Sequence, residues 1–155
     1  MVHMQGLTRA PEIDRPGFEW FNVSAPLRLA DLRGRMVILD FWTFCCVNCL
    51  HVVPTLSRLE QAFPDELVVI GVHSPKFPAE RDGENLRHAI ARCGVRHPVI
   101  QDPQMVLWRE YCVKALPTLI FIAPDGRVFG SLSGEPDSDK LIAGVGAMLR
   151  EWRDA

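Results

Sequence analysis

The sequence predicts one α/β domain built around a central sheet with parallel strands and flanking helices. Residues 36–39 are uniformly apolar, which suits a strand buried on both faces of a sheet. Leu56, Leu59 and Phe63 then follow at helical spacing, and residues 67–73 form a second apolar run. A strand, a helix and another buried strand are the βαβ signature of a parallel sheet.

Length and composition fit a single globular domain. The chain has 155 residues, a hydrophobic content of 48% and a formal net charge of -2. This charge predicts binding neither to nucleic acid nor to an anionic membrane, and the strand-sized apolar runs predict no transmembrane helix. Residues 1–5 lack the regions of a signal peptide, so we expect a cytoplasmic protein, or a periplasmic one if a leader has been removed.

The elements on either side of the βαβ unit follow from local patterns. Residues 1–17 are rich in proline and charge and are expected to run extended over the surface, with the domain itself spanning residues 18–155. Residues 18–21 and 27–29 predict a short hairpin. The later predicted elements are a helix at 84–93, a short strand at 99–100, a short helix at 105–111, a hairpin of strands at 119–122 and 128–130, and a last helix beginning at Ser138.

Cys46 and Cys49 form a Cys-x-x-Cys pair where the first strand gives way to a helix. Cys46 is expected at the helix N-terminus, where free N–H groups and the helix dipole favour a thiolate. Cys49 lies one turn further in, on the same face and within bonding reach. Cys46 is therefore the candidate nucleophile and Cys49 the resolving thiol; two structural core cysteines are the alternative.

Asp40 places a carboxylate inside an apolar strand, which is costly without a task or a partner. Beneath the cysteine pair it could accept the proton of Cys49, directly or through a water, with its pKa raised by burial. The alternative is that Asp40 marks the strand end and faces solvent.

These residues carry a family resemblance. The segment 40–42, followed by residues 46–49 and Pro54, resembles the active-site segment of thioredoxin, and residues 115–121 resemble its cis-proline loop and the next strand. Residues 31–35 and 42–46 are similar to TlpA-type proteins, most closely to the thioredoxin-like domain that heads NHL-repeat proteins.

The resemblance implies a thioredoxin-like fold and a thiol–disulfide oxidoreductase. The expected fold is a central mixed sheet flanked by helices, with an N-terminal hairpin and the inserted helix and strand of TlpA-like and peroxiredoxin-like relatives. Pro117 is expected to be cis and to face Cys46, where the backbone of Leu116 could pair with a substrate strand; a trans proline that starts an edge strand is the alternative. The substrate-binding residues implied are Trp42, Val47, Asn48, Leu116, Pro117 and Thr118.

Some of these positions carry further expectations. Val47 and Asn48 replace the Gly-Pro of thioredoxin and should alter the reduction potential, while Trp42 either shields the site or only packs. No cofactor and no metal are expected. The expected partners are a disulfide-containing protein and a thiol reductase, with the chain acting as a monomer or as a domain of a larger NHL-repeat protein.

Three other functions are consistent with parts of the sequence. Thr43 and Cys46 echo the Thr-x-x-Cys of peroxiredoxins, although Leu39 stands where those enzymes have proline. Cys45, Cys46, Cys49 and His51 could bind Cu(I) or Zn, without a second motif to complete the site. The third alternative is an interaction domain of a larger NHL-repeat protein that has no redox activity.

The remaining cysteines and the histidine have simpler interpretations. Cys45 is a passive neighbour or an alternative partner of Cys49, and Cys93 and Cys112 are small buried hydrophobes. His51 points away from the cysteine face and is expected in solvent.

Overall fold

The computed structural model of the protein describes residues 8–155. Within that range the fold is a mixed sheet of seven strands with helices on both sides. The strands are β1 (Thr8–Arg9), β2 (Glu19–Phe21), β3 (Met36–Trp42), β4 (Leu67–His73), β5 (Val99–Gln101), β6 (Thr118–Ile122) and β7 (Arg127–Ser133). The helices are α1 (Val47–Ala62), α2 (Pro78–Arg81), α3 (Gly83–Cys93), α4 (Val106–Glu110) and α5 (Ser138–Arg153).

Strand β3 lies at the centre of the sheet, whose order is β1-β7-β6-β3-β4-β5-β2. It pairs in parallel with β4 and antiparallel with β6, so the βαβ unit formed by β3, α1 and β4 is confirmed. Strands β6 and β7 form the predicted hairpin. The mixed sheet, the flanking helices and the inserted α3 and β5 all match the expected fold.

The predicted N-terminal hairpin is wrong. Strand β2 pairs antiparallel with β5, with Trp20 opposite Ile100, and residues 27–29 form no strand with it. The side chain of Asn22, just after β2, helps to hold β2 beside β5. Its amide donates hydrogen bonds to the carbonyl oxygens of Val95 and His97, which precede β5 in the chain. These bonds direct the segment towards the open edge of β5.

Residues 8–17 of the N-terminal segment do more than run extended over the surface, as was predicted for them. Strand β1 adds to β7 at the edge of the sheet, and the side chain of Ile13 is fully buried in the core. An isoleucine at 0% exposure contributes to folding like any other core residue. The predictions for residues 1–5, and for the first part of the segment, fall outside the described residues.

The two faces of β3 pack against different cores. Val37, Leu39 and Phe41 contact the core beneath α4, while Met36 and Ile38 contact the core beneath α1 and α5. Because side chains alternate along a strand, Asp40 and Trp42 face the same side as Met36 and Ile38, towards α1. No helix in the described range is long and apolar enough to cross a membrane.

Candidate active site

Cys46 and Cys49 are joined by a disulfide at the start of α1, with their Cα atoms 5.2 Å apart. Cys46 caps the helix, and its sulfur accepts a hydrogen bond from the backbone N–H of Cys49 over 3.2 Å. Cys46 is half-buried, whereas Cys49 is 0% exposed. An incoming molecule can therefore reach the first sulfur more easily than the second.

The residues between the two cysteines face outwards. Val47 is 65% exposed, an unusual value for a β-branched apolar side chain in this protein, and Asn48 is also exposed. Both can contact a molecule that approaches Cys46.

Asp40 lies in the middle of the sheet, opposite Gly71 of β4 and Leu119 of β6. Its side chain is 1% exposed, so it does not face solvent at a strand end. Burial raises the pKa of this carboxyl to about 7. At that pKa the group can take up and release a proton near neutral pH, as a proton acceptor for Cys49 must.

Leu116 and Pro117 belong to the loop that leads into β6. The Leu116–Pro117 peptide bond is cis. The side chain of Leu116 packs against the apolar cluster that contains Cys49, and Cys46 packs against the same cluster. In the described part of the chain the backbone N–H and C=O of Leu116 have no hydrogen-bond partner, while the Pro117 carbonyl accepts the N–H of Gly134 over 2.8 Å.

Three of the six residues predicted to bind substrate are instead buried: Trp42, Pro117 and Thr118. Trp42 is 1% exposed, and its ring packs edge-on against His73 with centroids 5.0 Å apart. Thr118 is also buried, and its hydroxyl donates to the Ala115 carbonyl over 2.6 Å. Since neither side chain reaches solvent, we assign Trp42 to packing and Thr118 to holding the loop before β6.

A buried polar network supports the active-site turn, residues 43–46. His73 accepts a hydrogen bond from the backbone N–H of Phe44 at Nε2, and its Nδ1 is 2.8 Å from Oε1 of Gln101. Gln101 in turn donates to the Glu80 carbonyl over 2.9 Å. Burial lowers the pKa of His73 to about 4, so this ring is neutral at neutral pH.

The Glu80 carboxylate adjoins this network, and its Oε1 accepts the backbone N–H groups of Lys76 and Phe77, each over 3.0 Å. Burial acts to raise its pKa, but hydrogen bonds from the backbone N–H groups of Lys76 and Phe77 outweigh burial and keep the pKa low. Burial and the nearby Glu80 charge raise the pKa of Cys45, which makes its thiol a poorer nucleophile.

Sequence reasoning missed His73, Glu80 and Gln101. The signal available was weak: His73 ends an apolar strand at the same sheet end as the cysteines, but nothing nearby in the chain shows what it contacts.

The other cysteines and His51 do not assemble a second site. Cys45 and Cys112 are exposed and free, so Cys112 is not the buried hydrophobe predicted, and Cys93 is half-buried. His51 is exposed, as predicted, with Nδ1 2.8 Å from Oε1 of Glu135. Among residues 8–155, no group of three or more His, Cys, Asp or Glu side chains could hold a metal ion.

Comparisons with known proteins agree with this geometry. A family model described as thioredoxin-like matches residues 34–128. NHL repeat-containing protein 2 of Bos taurus is 42% identical over 141 residues, which cover 89% of this chain and 19% of the relative. The thiol-disulfide oxidoreductase ResA of Geobacillus kaustophilus is 30% identical over 69% of this chain and 59% of its own.

A solved structure shows the same architecture. A secreted disulfide oxidoreductase of Mycobacterium tuberculosis superposes with a TM-score of 0.66 and 25% identity, covering 79% of this chain and 89% of the other. The chain thus spans less than a fifth of the NHL-repeat relative and most of the solved oxidoreductase.

Proposed function

Because the chain belongs to the thioredoxin-like family, we propose that it is a thiol–disulfide oxidoreductase that works through Cys46 and Cys49. The observation that carries this proposal is the disulfide at the start of α1, with one sulfur within reach of solvent and the other beneath it. Relatives named as thiol–disulfide and disulfide oxidoreductases support it.

The first step of the reaction uses Cys46 in the reduced protein. Its thiolate attacks one sulfur of a substrate disulfide, the substrate S–S bond breaks, and the other substrate sulfur leaves as a thiolate. The N–H of Cys49 and the positive end of the α1 dipole stabilise the Cys46 thiolate before attack.

The second step uses Cys49 and Asp40. Cys49 gives its proton to the Asp40 carboxylate, and the resulting thiolate attacks the Cys46 sulfur of the mixed disulfide. The bond between Cys46 and the substrate breaks, the second substrate thiolate leaves, and the Cys46–Cys49 disulfide forms. Two electrons have then passed from the cysteine pair to the substrate, and the reverse sequence oxidises a dithiol substrate.

The substrate is proposed to be a protein segment in extended conformation, or a small thiol in the simplest case. The unpaired backbone groups of Leu116 can bond a substrate strand across the Cys46 sulfur, as in β-augmentation. Pro117 shapes that edge, and the exposed Val47 and Asn48 line the other side of the approach.

The wider setting is also a proposal. The similarity to NHL repeat-containing protein 2 supports a redox domain within a larger protein. A thiol reductase would return its Cys46–Cys49 disulfide to the dithiol form. The free, exposed thiols of Cys45 and Cys112 support a reducing compartment such as the cytoplasm, because disulfides persist mainly in oxidising ones.

The test is turnover of a disulfide-bonded protein with a dithiol as reductant. Cys46→Ser should abolish the protein's contribution to turnover, and Cys49→Ser should instead accumulate a mixed disulfide with the substrate, seen by mass spectrometry. Cys93→Ser is the control and should retain turnover. Full turnover by Cys46→Ser would refute the proposal.

A further inference from the structure

The active-site turn is tied to the neighbouring strand by one side chain. The turn closes on itself where the N–H of Cys46 donates to the Thr43 carbonyl over 3.3 Å. The N–H of Phe44, within the turn, donates to Nε2 of His73, also over 3.3 Å. His73 is the last residue of β4, which pairs in parallel with β3. The turn that leads to Cys46 is therefore held sideways by the sheet as well as along the chain.

Gln101 sets the tautomer of the His73 ring from its other side. The amide nitrogen of Gln101 donates to the Glu80 carbonyl over 2.9 Å, because a carbonyl oxygen can only accept. The amide oxygen therefore faces Nδ1 of His73, at 2.8 Å, and only a protonated Nδ1 can bond to it. A neutral ring with its proton on Nδ1 has a lone pair on Nε2.

The Phe44 N–H requires the same tautomer, independently of Gln101. A backbone N–H can only donate, so Nε2 of His73 has to be unprotonated. A charged ring would place two donors against each other. Burial keeps the ring neutral, since His73 is 0% exposed and its pKa is lowered to about 4. Two separate contacts thus select one form of the ring, neutral and protonated on Nδ1.

Aromatic side chains hold the His73 ring in this orientation. The Phe44 ring stacks on it, with centroids 5.3 Å apart and an angle of 19° between the planes. The Trp42 ring packs edge-on against it, with centroids 5.0 Å apart and an angle of 77°. Rotation of the His73 ring would break both hydrogen bonds and disturb both aromatic contacts. Its Nε2 therefore stays directed at the turn.

The chemistry of Cys46 depends on where this turn lies. Cys46 is the N-cap of α1, and its sulfur accepts the Cys49 N–H over 3.2 Å. Stabilisation of a negative charge by a helix N-terminus falls off within the first turn of the helix. A displacement of about 1 Å in an active site can cost about a hundredfold in rate. Only residues 43–45 lie between the end of β3 and Cys46, so a contact that fixes them also places the sulfur.

We propose that His73 is a positioning residue for Cys46: its unprotonated Nε2 holds the Phe44 N–H and so keeps the Cys46 sulfur at the start of α1. This inference deepens the proposed function and rests on it, since Cys46 is the nucleophile of that reaction. His73 acts through the turn and takes no part in making or breaking bonds. Gln101 supports it by holding the proton on Nδ1.

The first measurement concerns the ring itself. The ¹⁵N shifts of the two ring nitrogens of His73 are recorded in the oxidised native protein at neutral pH, and His73→Gln identifies the signals by their loss. We expect the shift of a protonated nitrogen at Nδ1 and that of an unprotonated nitrogen at Nε2. A proton on Nε2, with or without one on Nδ1, would overturn the proposal whatever the variants do.

The second measurement is the rate at which iodoacetamide alkylates Cys46 in the reduced protein, followed by mass spectrometry. His73→Phe keeps a flat ring but removes the acceptor, whereas His73→Gln keeps an acceptor on a side chain of similar reach. Ile13→Ala is the matched control for lost stability, because Ile13 is fully buried in a different apolar cluster from the one that Cys46 and Phe44 contact. His88→Gln removes an exposed histidine.

The proposal predicts slower alkylation of Cys46 only where the acceptor is lost. His73→Phe should slow it by about tenfold or more at neutral pH, because a sulfur that leaves the helix start is less often a thiolate. His73→Gln should return the rate to within about threefold of the native protein, because it still accepts the Phe44 N–H. The rates of Ile13→Ala and His88→Gln should equal the native rate.

A native rate in His73→Phe would overturn the positioning role. Equal slowing in His73→Gln or in Ile13→Ala would also overturn it, because a general loss of stability would then explain the effect. If His73→Phe does not fold, His73→Leu takes its place.

The outcomes separate this inference from the oxidoreductase proposal. Neither measurement involves a disulfide substrate, whereas the oxidoreductase proposal depends on the turnover of Cys46→Ser. A native alkylation rate in His73→Phe, together with no turnover by Cys46→Ser, would remove the positioning role and leave the oxidoreductase intact.

Discussion

Phe44 and His73 contact each other twice. The backbone N–H of Phe44 donates to Nε2 of His73 over 3.3 Å, and the two rings stack with centroids 5.3 Å apart. This pair ties the turn that carries Cys45 and Cys46 to the end of β4, and through Gln101 to β5. The geometry of the reactive cysteine thus depends on residues far from it in the chain.

Replacement of His73 by phenylalanine should destabilise the protein. The change leaves the Phe44 N–H and the Gln101 side chain without their buried partner, at a cost of about 1–3 kcal/mol for each unsatisfied group. Urea unfolding of the oxidised protein measures this loss. His51→Gln, which removes only an exposed contact with Glu135, should change stability by no more than about 0.5 kcal/mol.

The same variant should show a weaker acid sensitivity. His73 has a pKa of about 4 in the folded protein against an ordinary value of 6.5 in the unfolded chain, so the unfolded chain binds more protons between these pH values. The contribution of His73 to the stability of the native protein is therefore lost as pH falls from about 6.5 to about 4. His73→Phe should lose less over this range; an unchanged pH profile would contradict the assignment of a neutral, buried His73.

Asp40→Asn should have the opposite effect on stability. The folded pKa of Asp40 is raised to about 7 from 3.8, so the folded state holds its proton longer than the unfolded state. Asp40 therefore destabilises the native protein progressively as pH rises from about 4 to about 7, and by a constant amount above that. The gain in stability of Asp40→Asn over the native protein should grow across this range to a few kcal/mol.

The measurement is the difference in unfolding free energy between the two proteins at several pH values, with the exposed Asp65→Asn as control. A flat difference would show that Asp40 titrates normally. Asp40→Asn should also slow the Cys49 attack by about tenfold or more at neutral pH, measured as release of a chromophoric thiol from a mixed disulfide on Cys46.

Alkylation should distinguish Cys46 from Cys45. In the reduced protein Cys46 is expected to react with iodoacetamide as a thiolate, because the helix N-terminus stabilises negative charge. Cys45 should react more slowly, since burial and Glu80 raise its pKa. Mass spectrometry of the peptide containing both residues measures the order; faster modification of Cys45 would contradict the site as described.

Ile13→Ala tests the role of the N-terminal segment. Ile13 is fully buried, so its truncation should lower the free energy of unfolding by about 2–5 kcal/mol. Ile142→Ala, at a partly exposed position of α5, should cost less. A negligible effect at residue 13 would mean that the segment does not pack as described.

Much of the fold could be predicted because its signals are local. The apolar run of β3, the helical spacing in α1 and the turn between β6 and β7 each lie within a few neighbouring residues. The candidate site was found for the same reason, since Asp40, Cys46 and Cys49 stand close together in the chain. Their catalytic roles stay predictions until the variants are measured.

Local patterns along the chain were enough to predict the βαβ unit, the cysteine pair at a helix start and a carboxylate in an apolar strand. The pairing of β2 with β5, the burial of Ile13 and the hydrogen bond of His73 to the active-site turn became visible only in three dimensions. The physical reason is that periodicity reports which face of an element is apolar, but not which distant element covers it. Whether a histidine is buried and what it bonds depend on the order of the strands in the sheet.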